Sequence, residues 1–151
     1  MMSPFDWRSV LLARHAQHVV LIHFPIALFI IGVLFELTAL WRKREELAMV
    51  AYYNFYAAAI FSLPAAVTGI IAWQWALEGQ RVKGTLLLHL VCASASVVVI
   101  WTVWFLDRRA RRTAGPNILS ILRIVLEFIG IGLLTLTGHL GGFLSGVNGG
   151  V

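Results

Sequence analysis

Five histidines are the side chains in this sequence with the clearest capacity for chemistry. His18, His23, His89 and His139 lie within or beside long apolar stretches, and His15 precedes the first of these stretches. Neutral imidazole binds haem iron, copper and zinc, and polar groups at membrane depth are costly enough that they usually serve a purpose. The simpler interpretation, favoured for any single histidine, is a hydrogen bond to a neighbouring helix.

The spacing of four of these histidines predicts a shared layer beneath one membrane face. On a helix rising about 1.5 Å per residue, His18 and His23 lie roughly 6 and 13 Å past Arg14. His89 lies roughly 9 Å past Lys83 by the same rise. His139 comes near the end of the last apolar stretch, on the same side. Four histidines converging from three helices favour a shared cofactor site. His15 is predicted to be interfacial and to lie outside it.

Axial ligation of a b-type haem is the chemistry that best suits these ligands. Imidazoles from facing helices can fill both axial positions without a cysteine, and haem is readily held between bundle helices. His18 and His23 are five residues apart, so they point about 140° away from each other and can face different helices. We therefore predict one haem, between His23 and His89 or between His18 and His139, or two haems.

Two other ligands remain open at this point. Copper or zinc also binds imidazole, but Glu78 is the only acidic residue near the histidines that could complete such a site. Quinone could hydrogen-bond to a histidine among aromatic side chains, and it is compatible with haem. Gly138, Gly141 and Gly142 beside His139 would admit a flat macrocycle or a close helix, although glycine more commonly ends a helix.

The elements that must position these histidines are membrane-spanning helices. Of the 151 residues, 60% are hydrophobic and 13% are charged, against roughly a quarter charged in soluble domains. Four continuous apolar runs, near 17–41, 47–77, 85–106 and 118–143, each reach the roughly 20 residues that a spanning helix needs. We therefore predict a single all-α domain over residues 1–151, an up-down four-helix integral membrane bundle.

A short helix lying in the membrane interface is predicted before the first span. Ser3, Pro4 and Asp6 match a helix N-cap, a first-turn proline and an acidic third position. Tryptophans near the span ends are typical of aromatic belts; these are Trp41, Trp73, Trp75 and Trp104.

Basic residues predict the orientation in the membrane. The first and third loops, with the start of the fourth span, hold eight of the twelve lysines and arginines: Arg42, Lys43, Arg44, Arg108, Arg109, Arg111, Arg112 and Arg123. The positive-inside rule places these loops in the cytoplasm and both termini outside. The net charge of +5 is thereby assigned to loops that face lipid headgroups rather than to nucleic-acid binding.

The sequence also excludes several function classes. The single cysteine, Cys92, excludes an internal disulfide, covalent c-type haem attachment and a cysteine-ligated iron–sulfur cluster. The sequence has no serine or cysteine nucleophile beside a histidine, and it has no phosphate-binding glycine loop. An independent enzyme is therefore not predicted. An electron-transfer subunit remains compatible with these absences.

Two carboxylates lie away from the histidines. Glu127 follows Arg123 by four residues, so the two can pair on one helix face. Glu36 lies near the cytoplasmic end of the first span, within reach of the basic loop. We interpret both as ion-pair partners, and they would be the first candidates if protons cross from the inside.

Two end motifs resemble those of the DUF2231 family of bacterial membrane proteins. The stretch HVVLIHFPIAL, from His18 to Leu28, resembles the family's opening motif, and His89 fits its third-span histidine. The stretch TGHLGG, from Thr137 to Gly142, resembles its closing motif. The resemblance covers nearly the whole chain.

Two departures from the family pattern lie beside these motifs. Val19 stands where the family usually has proline, and Phe143 stands where a glutamate often follows the glycines. The second change removes a polar partner from the site.

The resemblance implies a fold and motif positions rather than a reaction. It implies location in the bacterial inner membrane, and relatives joined to Rieske or cytochrome domains favour electron transfer by association. The leading hypothesis is a membrane subunit that binds haem b near the outer face and exchanges electrons with quinone or a periplasmic redox protein. The alternatives are a cofactor-free accessory subunit of a larger membrane complex and a copper- or zinc-handling protein.

Overall fold

Four long helices make up the protein in the computed structural model, which describes residues 14–76, 79, 81–112 and 118–146. The helices are α1 (Arg14–Arg42), α2 (Glu45–Ala76), α3 (Gly84–Arg112) and α4 (Ile118–Leu144). Each contains a segment long and apolar enough to cross a membrane: Gln17–Arg42, Glu45–Trp75, Gly84–Arg112 and Ile121–Leu144. The predicted all-α membrane bundle is confirmed, while the predicted interfacial helix at Ser3–Asp6 lies outside the described residues.

The helices form two antiparallel hairpins. The most extensive interfaces join α1 to α2 and α3 to α4, a smaller one joins α2 to α3, and the contact between α1 and α4 is slight. The first hairpin turns at Lys43, whose φ of 53° is left-handed, and the Arg44 N–H donates to the Ala39 carbonyl at 3.1 Å. This arrangement is a Schellman ending, which usually has glycine at the left-handed position.

Aromatic rings fill the middle of the bundle against small residues. Phe29 and Phe55 are fully buried, with ring centroids 5.6 Å apart. A Cβ on Gly32 would lie 2.7 Å from the Phe55 ring, and one on Gly130 would lie 2.7 Å from the Phe29 ring. Trp101 Nε1 donates to Ser62 Oγ at 3.2 Å and links α3 to α2. Glycine at the contact points therefore lets the rings pack against the neighbouring backbones.

The outward surface of the bundle is apolar along its length. Val20, Leu34, Val98 and Ile121 are each about 60% exposed, and many other large apolar side chains also face outward. A surface of this kind in water would drive aggregation, whereas lipid solvates it. The exposed side chains therefore mark the lipid-facing side of each helix.

The two hairpins repeat the same pattern of buried positions. On α1 and α3 the buried positions recur 71 residues apart, as the pairs 25 and 96, 29 and 100, 32 and 103, and 36 and 107. On α2 and α4 they recur 72 residues apart, as the pairs 51 and 123, 55 and 127, 58 and 130, and 62 and 134. Since the hairpins have the same direction, they are parallel repeats, of the kind related by an axis along the membrane normal. Few identical residues mark this repeat in the sequence.

Candidate functional site

The predicted site residues lie at one end of the bundle, here called the histidine end and defined by His18, His23, His89 and His139. The starts of α1 and α3 and the end of α4 meet there because consecutive helices are antiparallel. The opposite end, called the arginine end, is defined by Glu36, Asp107, Arg123 and Glu127. Each end is built from both hairpins.

His18 of α1 is seated against α2. Its Nδ1 lies 3.1 Å from the Ala65 carbonyl oxygen and 3.3 Å from Thr68 Oγ1. A Cβ on Gly69 would lie 3.0 Å from His18 Cε1, so the ring occupies the space that a side chain at this position would need. The histidine is therefore held by one backbone carbonyl and one glycine of the partner helix.

His89 repeats this arrangement in the second hairpin. Its Nδ1 lies 3.1 Å from the Thr137 carbonyl oxygen on α4, and a Cβ on Gly141 would lie 3.3 Å from His89 Cε1. In both hairpins the accepting carbonyl precedes the glycine by four residues, which is one helical turn. His18 and His89 are therefore equivalent residues of the internal repeat, held in the same way.

The carbonyl partners fix which ring nitrogen carries the proton. A carbonyl oxygen only accepts, so Nδ1 must be the donor in His18 and His89, and in a neutral ring Nε2 then has the lone pair. The same holds for His23, whose Nδ1 lies 2.6 Å from the Val19 carbonyl oxygen on its own helix. A histidine that donates through one nitrogen to a backbone carbonyl is oriented as metal-ligating histidines usually are.

His23 and His139 are more exposed than the two seated histidines. His23 lies on the outer side of α1, and the His139 ring meets the Phe143 ring edge-on with centroids 5.0 Å apart. Across the described residues, His, Cys, Asp and Glu side chains form no group of three that could hold one metal ion. The histidines thus share one end of the bundle without forming a three-ligand site for an ion. Glu78, considered as a ligand for such an ion, lies outside the described residues.

The arginine end contains a buried ion network that joins the two hairpins. Arg123 of α4 donates through Nη1 to Asp107 Oδ1 at 2.6 Å and through Nη2 to Glu36 Oε1. Its Nε lies 3.4 Å from Glu127 Oε1, which confirms the predicted pairing along α4. Glu36 pairs with Arg123 rather than with the basic loop that follows α1.

Asp107 is the member of this network that the sequence did not reveal. It directly precedes Arg108 and Arg109, so it was hidden in a basic run, yet it is buried and accepts from Arg111 Nε at 3.3 Å as well as from Arg123. Its position 71 residues after Glu36 was the signal that could have identified it.

Trp104, predicted to lie in an aromatic belt, packs among aromatic rings near the arginine end. Its ring lies 5.5 Å from that of Trp101 and 5.6 Å from that of Tyr56, between centroids, and the Arg108 guanidinium covers it at 5.5 Å. Its Nε1 is buried and has no hydrogen-bond partner within the described ranges. The indole as a whole is only partly buried, so the belt prediction for Trp104 stays a prediction.

The same number of residues separates the histidine end from the arginine end on α1 and on α3. His18 precedes Glu36 by 18 residues, and His89 precedes Asp107 by 18. Eighteen residues make five helical turns, so each histidine lies on the same helix face as its carboxylate and about 27 Å from it. Since Glu36 and Asp107 share one guanidinium, His18 and His89 lie at closely similar depths. That span is close to the roughly 30 Å thickness of the hydrocarbon core.

Taken together, the fold and its two polar ends define a four-helix integral membrane protein built from two similar hairpins. A family model described as "Predicted membrane protein (DUF2231)" matches residues 14–150, so the chain belongs to the DUF2231 family and the proposed resemblance is confirmed. Comparisons with curated proteins and with solved structures give no match. The family description supports residence in a membrane.

Proposed function

We propose that this protein is a membrane subunit that binds b-type haem through histidines at the histidine end and takes part in electron transfer. The observation that carries the proposal is that His18 and His89 are bound in the same way. In each, Nδ1 donates a hydrogen bond to a backbone carbonyl of the adjacent helix. This arrangement supports ligation because it leaves the lone pair of a neutral ring on Nε2 and fixes the ring before any ligand binds.

The surroundings of these histidines also suit haem. Gly69 and Gly141 give space to the two imidazoles, and the helices beside them present valine, leucine and isoleucine, which an apolar macrocycle contacts well. When bound, haem b would supply one-electron redox chemistry. The chain itself would supply fixed neutral imidazoles, with His18 and His89 as the first candidates for axial ligands and His23 and His139 as the next.

Haem suits the described histidines better than a chelated copper or zinc ion does. A protein zinc site usually has at least three protein ligands, whereas haem needs two side chains at most. Because the described side chains provide no group of three, ion handling by this end of the bundle is the weaker proposal.

We further propose the location and electron-transfer partners of this subunit. The counts of basic residues favour the periplasmic face of a bacterial inner membrane for the histidine end. A membrane quinone or a periplasmic redox protein would then exchange electrons there.

The competing function is a cofactor-free accessory subunit of a larger membrane complex. The same hydrogen bonds favour it to some degree, because His18 and His89 already have partners within the bundle. In that case the histidines would only fasten each hairpin. The two functions differ in whether purified protein contains haem.

The first experiment is a reduced-minus-oxidised visible spectrum of the purified protein in mild detergent, with haem extraction and metal analysis of the same sample. A haem subunit gives sharp α and Soret bands, and His18→Ala or His89→Ala removes or shifts them. His15→Ala is the matched control and leaves the bands unchanged. Fully folded protein with a featureless spectrum and no extractable haem would refute haem binding, and the metal content would then decide between an ion site and the accessory subunit.

A further inference from the structure

The arginine end holds a second polar site that does not depend on a cofactor at the histidine end. Its described members are three carboxylates, Glu36, Asp107 and Glu127, and two guanidiniums, Arg111 and Arg123. With every group ionised, the cluster would hold one negative charge in excess. The three carboxylates are 2%, 1% and 0% exposed, so this excess charge would be almost completely desolvated.

Glu127 is the carboxylate in this cluster that receives no hydrogen bond from the described residues. Glu36 and Asp107 each accept from the Arg123 fork, and Asp107 also accepts from Arg111. Neither oxygen of Glu127 has a donor among the residues that the structure describes, and Arg123 Nε lies 3.4 Å away without hydrogen-bond alignment. Glu36 Oε2 also lacks a donor there. The described cluster therefore lacks one positive charge, and it also lacks hydrogen-bond donors for the oxygens of Glu127.

We propose that Glu127 binds one proton from the aqueous phase at the arginine end and that the neutral acid is its resident form in the folded protein. The step adds a proton to one carboxylate oxygen, forms one O–H bond and breaks none within the protein. It removes the excess charge and adds a donor to a cluster that lacks donors. A bound alkali cation is disfavoured, because the Arg123 guanidinium already lies among the carboxylates.

The ionisable groups of this network come from all four helices. Glu36 comes from α1, Asp107 and Arg111 from α3, and Arg123 from its own helix, while Tyr52 of α2 joins through its ring, 5.0 Å from the Arg111 guanidinium. Arg111 also donates to the Ala48 carbonyl at 2.6 Å, and its side chain is 27% exposed. It is the member through which the network comes nearest the surface, which supports proton entry to Glu127 from this side of the membrane.

The test is infrared spectroscopy of the purified full-length protein in lipid at neutral pH. A protonated carboxyl gives a C=O stretching band that is separate from carboxylate bands and shifts in deuterated water. We expect one such band in the native protein, its loss in Glu127→Gln, and its retention at the same frequency in the matched variant Glu36→Asp, which keeps the charge of the cluster. Absence of the band from the native protein, or its persistence in Glu127→Gln, would overturn the proposal.

Two further measurements keep the test decisive. If Glu127→Gln does not fold, carboxyl-labelled glutamate in Glu36→Asp must shift the band, and an unshifted band refutes the assignment. Replacing sodium by choline in the buffer must leave the band unchanged. A band that is present in choline buffer and absent in sodium buffer would identify a cation site in place of a proton site.

Discussion

Replacing Arg123 with methionine tests whether the arginine end holds the hairpins together. The Arg123 side chain is 8% exposed, and its carboxylate partners on α1 and α3 are equally shielded from water. Removing one member of a buried ion pair typically costs about 3–5 kcal/mol, because the partner stays buried and uncompensated. Since Glu36 loses its donor and Asp107 keeps only the partly exposed Arg111, we expect Arg123→Met to lower the free energy of unfolding by about that amount.

The assay is reversible unfolding in detergent micelles with a graded denaturant, followed by helicity. The matched control is Arg44→Met, which removes an exposed pair with Glu46 in which the two side chains are 61% and 74% exposed. Pairs of this kind contribute about 0–1 kcal/mol, so the two variants should differ several-fold in cost. Arg123→Lys should fall between them, because a point charge cannot serve two carboxylates as a planar fork does.

A double-mutant cycle identifies the source of the cost. Glu36→Gln together with Asp107→Asn removes the charges that Arg123 neutralises, so in that background Arg123→Met should cost much less. The reasoning fails if Arg123→Met costs no more than Arg44→Met. It also fails if neutralising both carboxylates leaves the cost unchanged.

Two further predictions use the same unfolding measurement. Gly130→Ala should cost about 1–3 kcal/mol by overpacking, because the new Cβ would lie 2.7 Å from the buried Phe29 ring and 3.1 Å from Val99 Cγ1. Gly132→Ala, with nothing within 4 Å of its Cβ, should be neutral or stabilising, and equal stability of the two variants would contradict the packing described here. Lys43→Gly should raise stability by about 1 kcal/mol, because a left-handed residue with φ of 53° no longer carries a Cβ. Lys43→Ala should give no such gain, and a gain of equal size would refute the explanation.

Most of the fold could be predicted from the sequence because hydrophobic length alone defines a spanning helix. The pairing of helices within the bundle could not be, since lipid-facing and core-facing side chains are both apolar. Phe29 and Val20 illustrate this, because one is buried and the other is 60% exposed, although both lie within one apolar run. The sequence shows the 71-residue recurrence in like pairs such as His18 and His89 or Glu36 and Asp107, but the buried positions between them became visible only with the helix rotations.

The candidate site was predictable to a similar extent. Histidines on three spans could be placed at one end by counting residues, and the Arg123–Glu127 pair follows from a four-residue spacing. The contacts of the His18 and His89 rings could not be predicted, because they depend on which glycine of a neighbouring helix each ring packs against. Asp107 was missed because its role is set by a residue on another helix rather than by its own neighbours in the chain.

The hairpins repeat one another in shape but not in charge at the arginine end. The first contributes Glu36 and has Ala51 and Phe55 at the positions where the second has Arg123 and Glu127. Two copies of the first half facing each other would bury two acidic side chains with no cation from those positions. Two copies of the second would bring two guanidiniums together and leave out Glu36. In this chain a single guanidinium serves a carboxylate from each half, so the two halves depend on each other to neutralise the charge they bury.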